Sequence, residues 1–145
     1  MDTLGRIAAE RACERLMARY ALAVNEWDID TFVSLFTPDA VWQRPHVPAL
    51  NGHAEIRAFM EQQPSKEGRT LRHVNGLCLV TVADDGLSAT SYSQTTVYDT
   101  PQTGTLPVPL NGVDMVVEYR DRLVKVGDEW LFARRDTTQV FSVHA

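Results

Sequence analysis

Leu4, Ile7, Ala8, Cys13, Leu16, Met17, Tyr20 and Val24 recur at helical spacing with polar residues between them. Residues 4–25 are therefore expected to form an amphipathic helix, with Asp2 or Thr3 capping its start. Asp28 can cap a second, shorter helix over Ile29–Phe36 that Pro38 ends, and Ala40–Gln43 reads as a short strand. Arg44-Pro45-His46-Val47-Pro48 breaks regular structure. A third helix is expected from about His53 to Gln62, placing Ile56, Phe59 and Met60 on one face, with Pro64–Gly68 as its exit loop.

Beyond Thr70 the period changes from helical to extended. Leu71–Val82, Ser88–Tyr98, Gly112–Val124 and Glu129–Val140 are rich in Val, Thr, Tyr and Phe, and turn residues separate them. Helices followed by sequence-adjacent strands give the α+β class, and short links favour antiparallel neighbours. Strands of this length twist and bend, so the sheet is expected to curve around the long helix and leave a concave interior. The Pro101–Pro109 stretch is either a plain surface connection or a lid.

Composition narrows this picture. With 145 residues, 44% of them apolar and 23% charged, the chain is long enough to bury a core without disulfides or a structural metal, and one domain over 1–145 is expected. The net charge is −5 and the basic residues are scattered among acids, which argues against nucleic acid as a partner. Arg6, Glu10, Arg11, Glu14, Arg15 and Arg19 in the first helix exclude a membrane span or signal-peptide core, so a soluble, cytoplasmic protein is expected. Cys13 and Cys78 read as reduced, packed thiols. There is no close His/Cys ligand pair, no Gly-x-Ser-x-Gly elbow and no glycine-rich nucleotide loop, so neither metal nor cofactor is expected.

The chain resembles the SnoaL-like branch of the nuclear transport factor 2-like superfamily. The resemblance rests on Tyr20-Ala21-Leu22-Ala23-Val24-Asn25 with Asp30 following, Leu35-Phe36-Thr37-Pro38-Asp39-Ala40-Val41-Trp42, Gly52 with Ile56 and Phe59, Arg72-His73-Val74-Asn75, and Tyr119-Arg120-Asp121 leading to Gly127 and Trp130. It implies a cone-shaped, cystatin-like fold: a curved, mostly antiparallel sheet with three N-terminal helices. The nearest group is that of scytalone dehydratase, bile-acid dehydratase and hexachlorocyclohexane dehydrochlorinase, which abstract a proton from carbon with a histidine oriented by an aspartate. The histidine falls on His73 and the aspartate on Asn25, a departure from the pattern. The resemblance also implies a polar pocket position at Tyr20, an arginine at Arg135, pocket walls at Met115, Val117 and Tyr119, and a homodimer or homotrimer through the outer sheet face.

The residues themselves allow two readings each. His73 is a side chain suited to accept a proton near neutral pH, or a buried imidazole satisfied by a carbonyl. Asn25 can hold an imidazole through its amide oxygen but supplies no charge; the corresponding amide replacement in the serine-protease template costs about 10⁴ in rate. Alternatively it ends the helix. Arg135 is a fork of donors for developing negative charge, or half of a surface salt bridge with Asp136 or Glu118. Trp42, Phe59, Met60 and Tyr119 serve equally as pocket wall or core. Asp99 and Asp114 could face the pocket but read better as exposed turn acids, His46 as a solvent-facing loop residue, and His53 and His144 as peripheral. Together these give a cofactor-free lyase or isomerase acting on a cyclic or aromatic molecule, with His73 as base, Asn25 orienting it, and Tyr20 and Arg135 stabilising charge. The alternative is a non-catalytic binding or assembly protein of the same fold.

Overall fold

The computed structural model describes residues 1–144. Helix α1 spans Thr3–Glu26, capped by Asp2, whose carboxylate accepts from the Gly5 N–H at 2.7 Å. Its apolar stripe is buried from Cys13 onward, whereas Leu4 and Ile7 are exposed; in the first turns Arg6, which donates to the Val82 carbonyl at 2.9 Å, and Ala9 face the sheet in place of the expected stripe. The helix ends where Trp27 turns left-handed (φ 57°) and donates back to Ala23 and Val24.

Asp28 then caps the short α2, Ile29–Ser34, through the Thr31 N–H. The helix stops before Phe36 because the Phe132 N–H takes the Leu35 carbonyl (2.9 Å) and draws the chain into the sheet. Strand β1 therefore runs Phe36–Gln43, starting four residues before the expected Ala40. Pro38, expected to close a helix, instead lies in a bulge between Phe36 and Val41, where its missing N–H costs no ladder bond. Strand β2 is the pair Leu50–Asn51, and α3 covers Gly52–Glu61. Gly52 has φ +81° with its missing Cβ only 3.1 Å from the Pro38 carbonyl oxygen, a position that disfavours any side chain.

The four long strands are β3 (Thr70–Val82), β4 (Ser88–Thr100), β5 (Met115–Val126) and β6 (Glu129–Ser142). The sheet order is β2-β1-β6-β5-β4-β3, antiparallel except for the parallel β1–β6 pair. It is a curved, unclosed, mostly antiparallel sheet with three helices, as expected. Bulges set which side chains face inward. In β3 the shift between Asn75 and Cys78 moves the inward set from Leu71 and His73 to Cys78, Val80 and Val82. In β6 the shift beside Ala133 moves it from Trp130 and Phe132 to Arg135 and Thr137. Helix α1 lies across the inner face, pinned to β3 by Asn75, whose amide donates to the Met17 carbonyl at 3.2 Å. No described helix is long and apolar enough to cross a membrane.

Candidate functional site

The concave side holds a cavity of about 230 Å³ between the C-terminal half of α1, β1, α3 and the inner face of β3–β6. Its wall is mostly apolar: Val24, Trp27, Trp42, Phe59, Met60, Leu71, Val97, Met115 and Val117. Tyr20 and Tyr119 add two phenols, which burial pushes up in pKa and so keeps neutral. Trp42 and Phe59 meet edge to face with centroids 5.5 Å apart.

His73 lines this cavity and meets Asn25 at the end of α1. The Asn25 Oδ1 accepts from the His73 backbone N–H at 2.7 Å and lies 3.2 Å from Nδ1. The backbone donor fixes the amide orientation, because the NH₂ group in that place would put donor against donor. Nδ1 of a neutral ring must then carry the proton, leaving Nε2 with its lone pair. Burial, reinforced by the Arg135 and Arg69 cations, lowers the His73 pKa from 6.5 to about 4, so the ring is neutral at pH 7.

Arg135 departs from its expected place. It is inward but does not line the cavity: its Nε and Nη2 donate to the two Asp121 carboxylate oxygens at 2.8 and 3.0 Å, and both side chains are essentially inaccessible. Its guanidinium lies 3.7 Å from the Tyr119 ring centroid, 4.2 Å from Tyr20 and 4.4 Å from Phe132. Neither the surface salt bridge with Asp136 or Glu118 nor direct contact with developing charge fits this geometry. Arg135 is a floor beneath the two phenols, and Asp136 pairs instead with Arg134.

Every other expected pocket residue, namely Tyr20, Trp42, Phe59, Met60, His73, Met115, Val117 and Tyr119, lines the one cavity, with Asn25 immediately behind His73. Asp114 precedes β5 and pairs with His144 at 2.9 Å. His46 is exposed in a left-handed turn, and His53 meets the Phe36 carbonyl. The 101–109 stretch contributes nothing to the cavity wall.

Several cavity residues were not foreseen: Arg44, Arg69, Thr137, Gln63 and Trp27. Asp99, read as an exposed acid, lines the cavity opposite Leu71 and is its single acidic residue among the described ones. Its carboxylate lies 3.4 Å from Arg69, whose guanidinium sits 5.0 Å from the Trp27 ring centroid. A period-2 count along the strands and past their ends would have found Arg44, Arg69, Asp99 and Thr137, though not Trp27 and Gln63, which stand at helix ends. Arg44 follows Trp42 by two, Arg69 precedes Leu71 and His73 by two and four, Asp99 follows Val97 by two, and Thr137 follows Arg135 by two. Among the described residues no group of three or more His, Cys, Asp or Glu side chains converges as a metal site would require.

The sequence model of the SnoaL-like domain family matches residues 5–136. Among solved structures, a candidate scytalone dehydratase from Novosphingobium aromaticivorans is similar with TM-score 0.79 at 21% identity, covering 97% of this chain and 89% of that one. ActVI-ORFA from Streptomyces coelicolor gives 0.76 at 23%, covering 92% and 97%. An NTF2-like protein with a cystatin-like fold, also from N. aromaticivorans, gives 0.77 at 20%, covering 96% and 87%. A comparison with curated proteins returned no match. At these identities the structural likeness speaks to the fold.

Proposed function

The chain belongs to the SnoaL-like domain family, a small-molecule-binding fold, and from that premise we propose that it is a cofactor-free lyase or isomerase acting on a cyclic or aromatic molecule. The observation that carries the reading is the neutral His73 imidazole on the wall of an apolar cavity, its tautomer set by Asn25. In the proposed step Nε2 accepts a proton from an acidic substrate C–H, and the electron pair moves into an enolate or expels a leaving group from the adjacent carbon. In a dehydration the proton taken by Nε2 passes to the departing hydroxyl, so that C–H and C–OH become C=C and water and the imidazole is neutral again. Tyr20 and Tyr119 supply O–H donors to the developing oxyanion, and Arg135 holds those rings from behind. A base with a pKa of about 4 is weak, so the reading requires a substrate C–H already activated by a carbonyl or an aromatising ring.

Solvent deuterium exchange into a panel of cyclic ketones and hydroxylated aromatics tests this. Wild-type protein is expected to exchange at least one member, and His73→Ala to abolish that exchange with the fold intact by circular dichroism. Asn25→Asp should raise the His73 pKa by about 1–3 pH units, followed by NMR, and speed the exchange. An unmoved titration would show that the two side chains do not communicate. A moved titration without exchange in either variant would favour binding without chemistry, the reading that the uncharged Asn25 supports. The same proposal carries the homodimer or homotrimer: β3 exposes Val74, Leu77 and Leu79, and light scattering over a dilution series would refute it with a monomer throughout.

A further inference from the structure

Arg44 is a half-buried cation with no counter-charge. Its guanidinium lies 3.7 Å from the Phe59 ring centroid and 5.7 Å from Trp42, and it makes no hydrogen bond or ion pair with any described residue. Burial lowers its pKa, and no neighbouring carboxylate acts in the opposite direction. The other two arginines on this side of the sheet are matched, Arg135 by Asp121 and Arg69 by Asp99. Stacking engages the face of a guanidinium and leaves its N–H edge unused.

A second observation points to the same place. Four buried side-chain polar atoms among the described residues lack a partner: Trp42 Nε1, Arg44 Nε, Arg69 Nε and Thr137 Oγ1. All four belong to residues that line the one cavity. Three are donors only, and the fourth is a hydroxyl that can donate. Buried polar groups are ordinarily paired; these four atoms are themselves inaccessible and mark a wall the fold leaves under-satisfied, so the contact to a ligand falls to the Arg44 terminal nitrogens, which are accessible and unbonded. Charge narrows the class. Arg44 and Arg69 against Asp99, with His73 neutral, leave one uncompensated positive charge.

We propose that the ligand of this cavity is an aromatic monocarboxylate, its ring against Trp42 and Phe59 and its carboxylate accepting from the Arg44 fork. The planar fork fits two coplanar carboxylate oxygens better than a single phenolate oxygen. A volume of about 230 Å³ suits one or two fused rings. The inference names the substrate class for the site proposed above and rests on that cavity, not on proton transfer by His73.

The test is calorimetric titration at pH 7 with three probes of matched shape: 2-naphthoate, 2-naphthalenemethanol and 2-naphthylmethylammonium. Wild-type protein is expected to bind the carboxylate about tenfold or more tighter than the alcohol, and the ammonium weakest. Arg44→Gln should bring carboxylate and alcohol within about twofold, the loss of one charge-assisted pair. The charge-conserving double variant Arg69→Gln with Asp99→Asn should keep the preference. Equal binding of the alcohol, a preference kept by Arg44→Gln, or a preference lost in the Arg69→Gln, Asp99→Asn double variant would each overturn the proposal. Should Arg44→Gln fail to fold, Arg44→Lys keeps the charge and loses the fork; the preference should fall severalfold, and an unchanged preference would refute the bidentate contact. Deuterium exchange that survives alongside a failed carboxylate preference would sink this inference and leave the proposed base standing.

Discussion

Arg135 and Arg44 are both inward arginines packed on aromatic rings of one curved sheet, yet their surroundings are opposite. Arg135 brings its partner with it: the bulge beside Ala133 turns it inward directly across from Asp121, which also accepts from Ser91 at 3.1 Å. Arg44 follows the end of β1 and faces a cavity in which no described acceptor meets it. The first is a closed ion pair whose specificity is internal. The second is an open one, whose missing half must come from outside the chain. An inward charge therefore marks a ligand site only when the fold leaves it unmatched, and the sequence alone does not tell the two cases apart.

The contrast should be largest in stability. Asp121→Ala leaves Arg135 buried without compensation and is expected to cost about 3–5 kcal/mol in denaturant unfolding. Arg44→Met keeps the apolar stem over Phe59, removes an unpaired cation, and should stay within about 1 kcal/mol of wild type. If Arg44→Met costs as much as Asp121→Ala, the cation is held by something within the protein and the comparison breaks.

A smaller effect concerns His73, the neutral member of the open site. Its folded pKa, about 4, lies below the unfolded value of 6.5, so between these values the unfolded chain binds a proton that the folded one does not. The stabilisation is present in full above pH 6.5 and is lost as pH falls toward 4, by at most about 3 kcal/mol. His73→Gln should flatten that part of the stability–pH curve relative to wild type. An unchanged slope would mean that the imidazole is better hydrated than the cavity geometry implies.

The helices and long strands were legible because their apolar periods are long, and the boundaries slipped where tertiary contacts outvote local signals. Pro38 reads as a helix stop, but the Phe132–Leu35 hydrogen bond decides that the segment is strand. Of the lining residues named from the resemblance, His73, Met115, Val117 and Tyr119 were legible because strand alternation carries them to one face, and Tyr20 because it falls on the apolar stripe of α1. Arg135 was legible as an inward residue and not as a paired one, because the register that sets Asp121 opposite it depends on a bulge with no sequence signature. Arg44 and Arg69 were missed, and Asp99 was weighed for the pocket but read as an exposed acid, since they stand at or beyond the ends where the apolar alternation fades into turn residues. There charge reads as solvent exposure, and only the curvature of the sheet turns it inward.

The smallest effect separates two threonines of the same inner face. Thr95 donates to the Asn75 side chain at 3.0 Å and is buried, whereas Thr137 lines the cavity but its hydroxyl is inaccessible and without a partner. Replacing either by valine keeps the shape and exchanges the hydroxyl for a methyl. Thr95→Val leaves the Asn75 oxygen without its donor and should cost about 1 kcal/mol. Thr137→Val removes an orphan and should be neutral or stabilising by roughly 0.5 kcal/mol. Urea midpoints of the two variants, compared at equal m-value, measure the difference. Equal destabilisation by both would mean that the Thr137 side chain shifts in solution and opens its hydroxyl to water held in the cavity. The orphan donors around Arg44 would then describe a hydrated pocket, in which a ligand carboxylate gains only what it adds over that water.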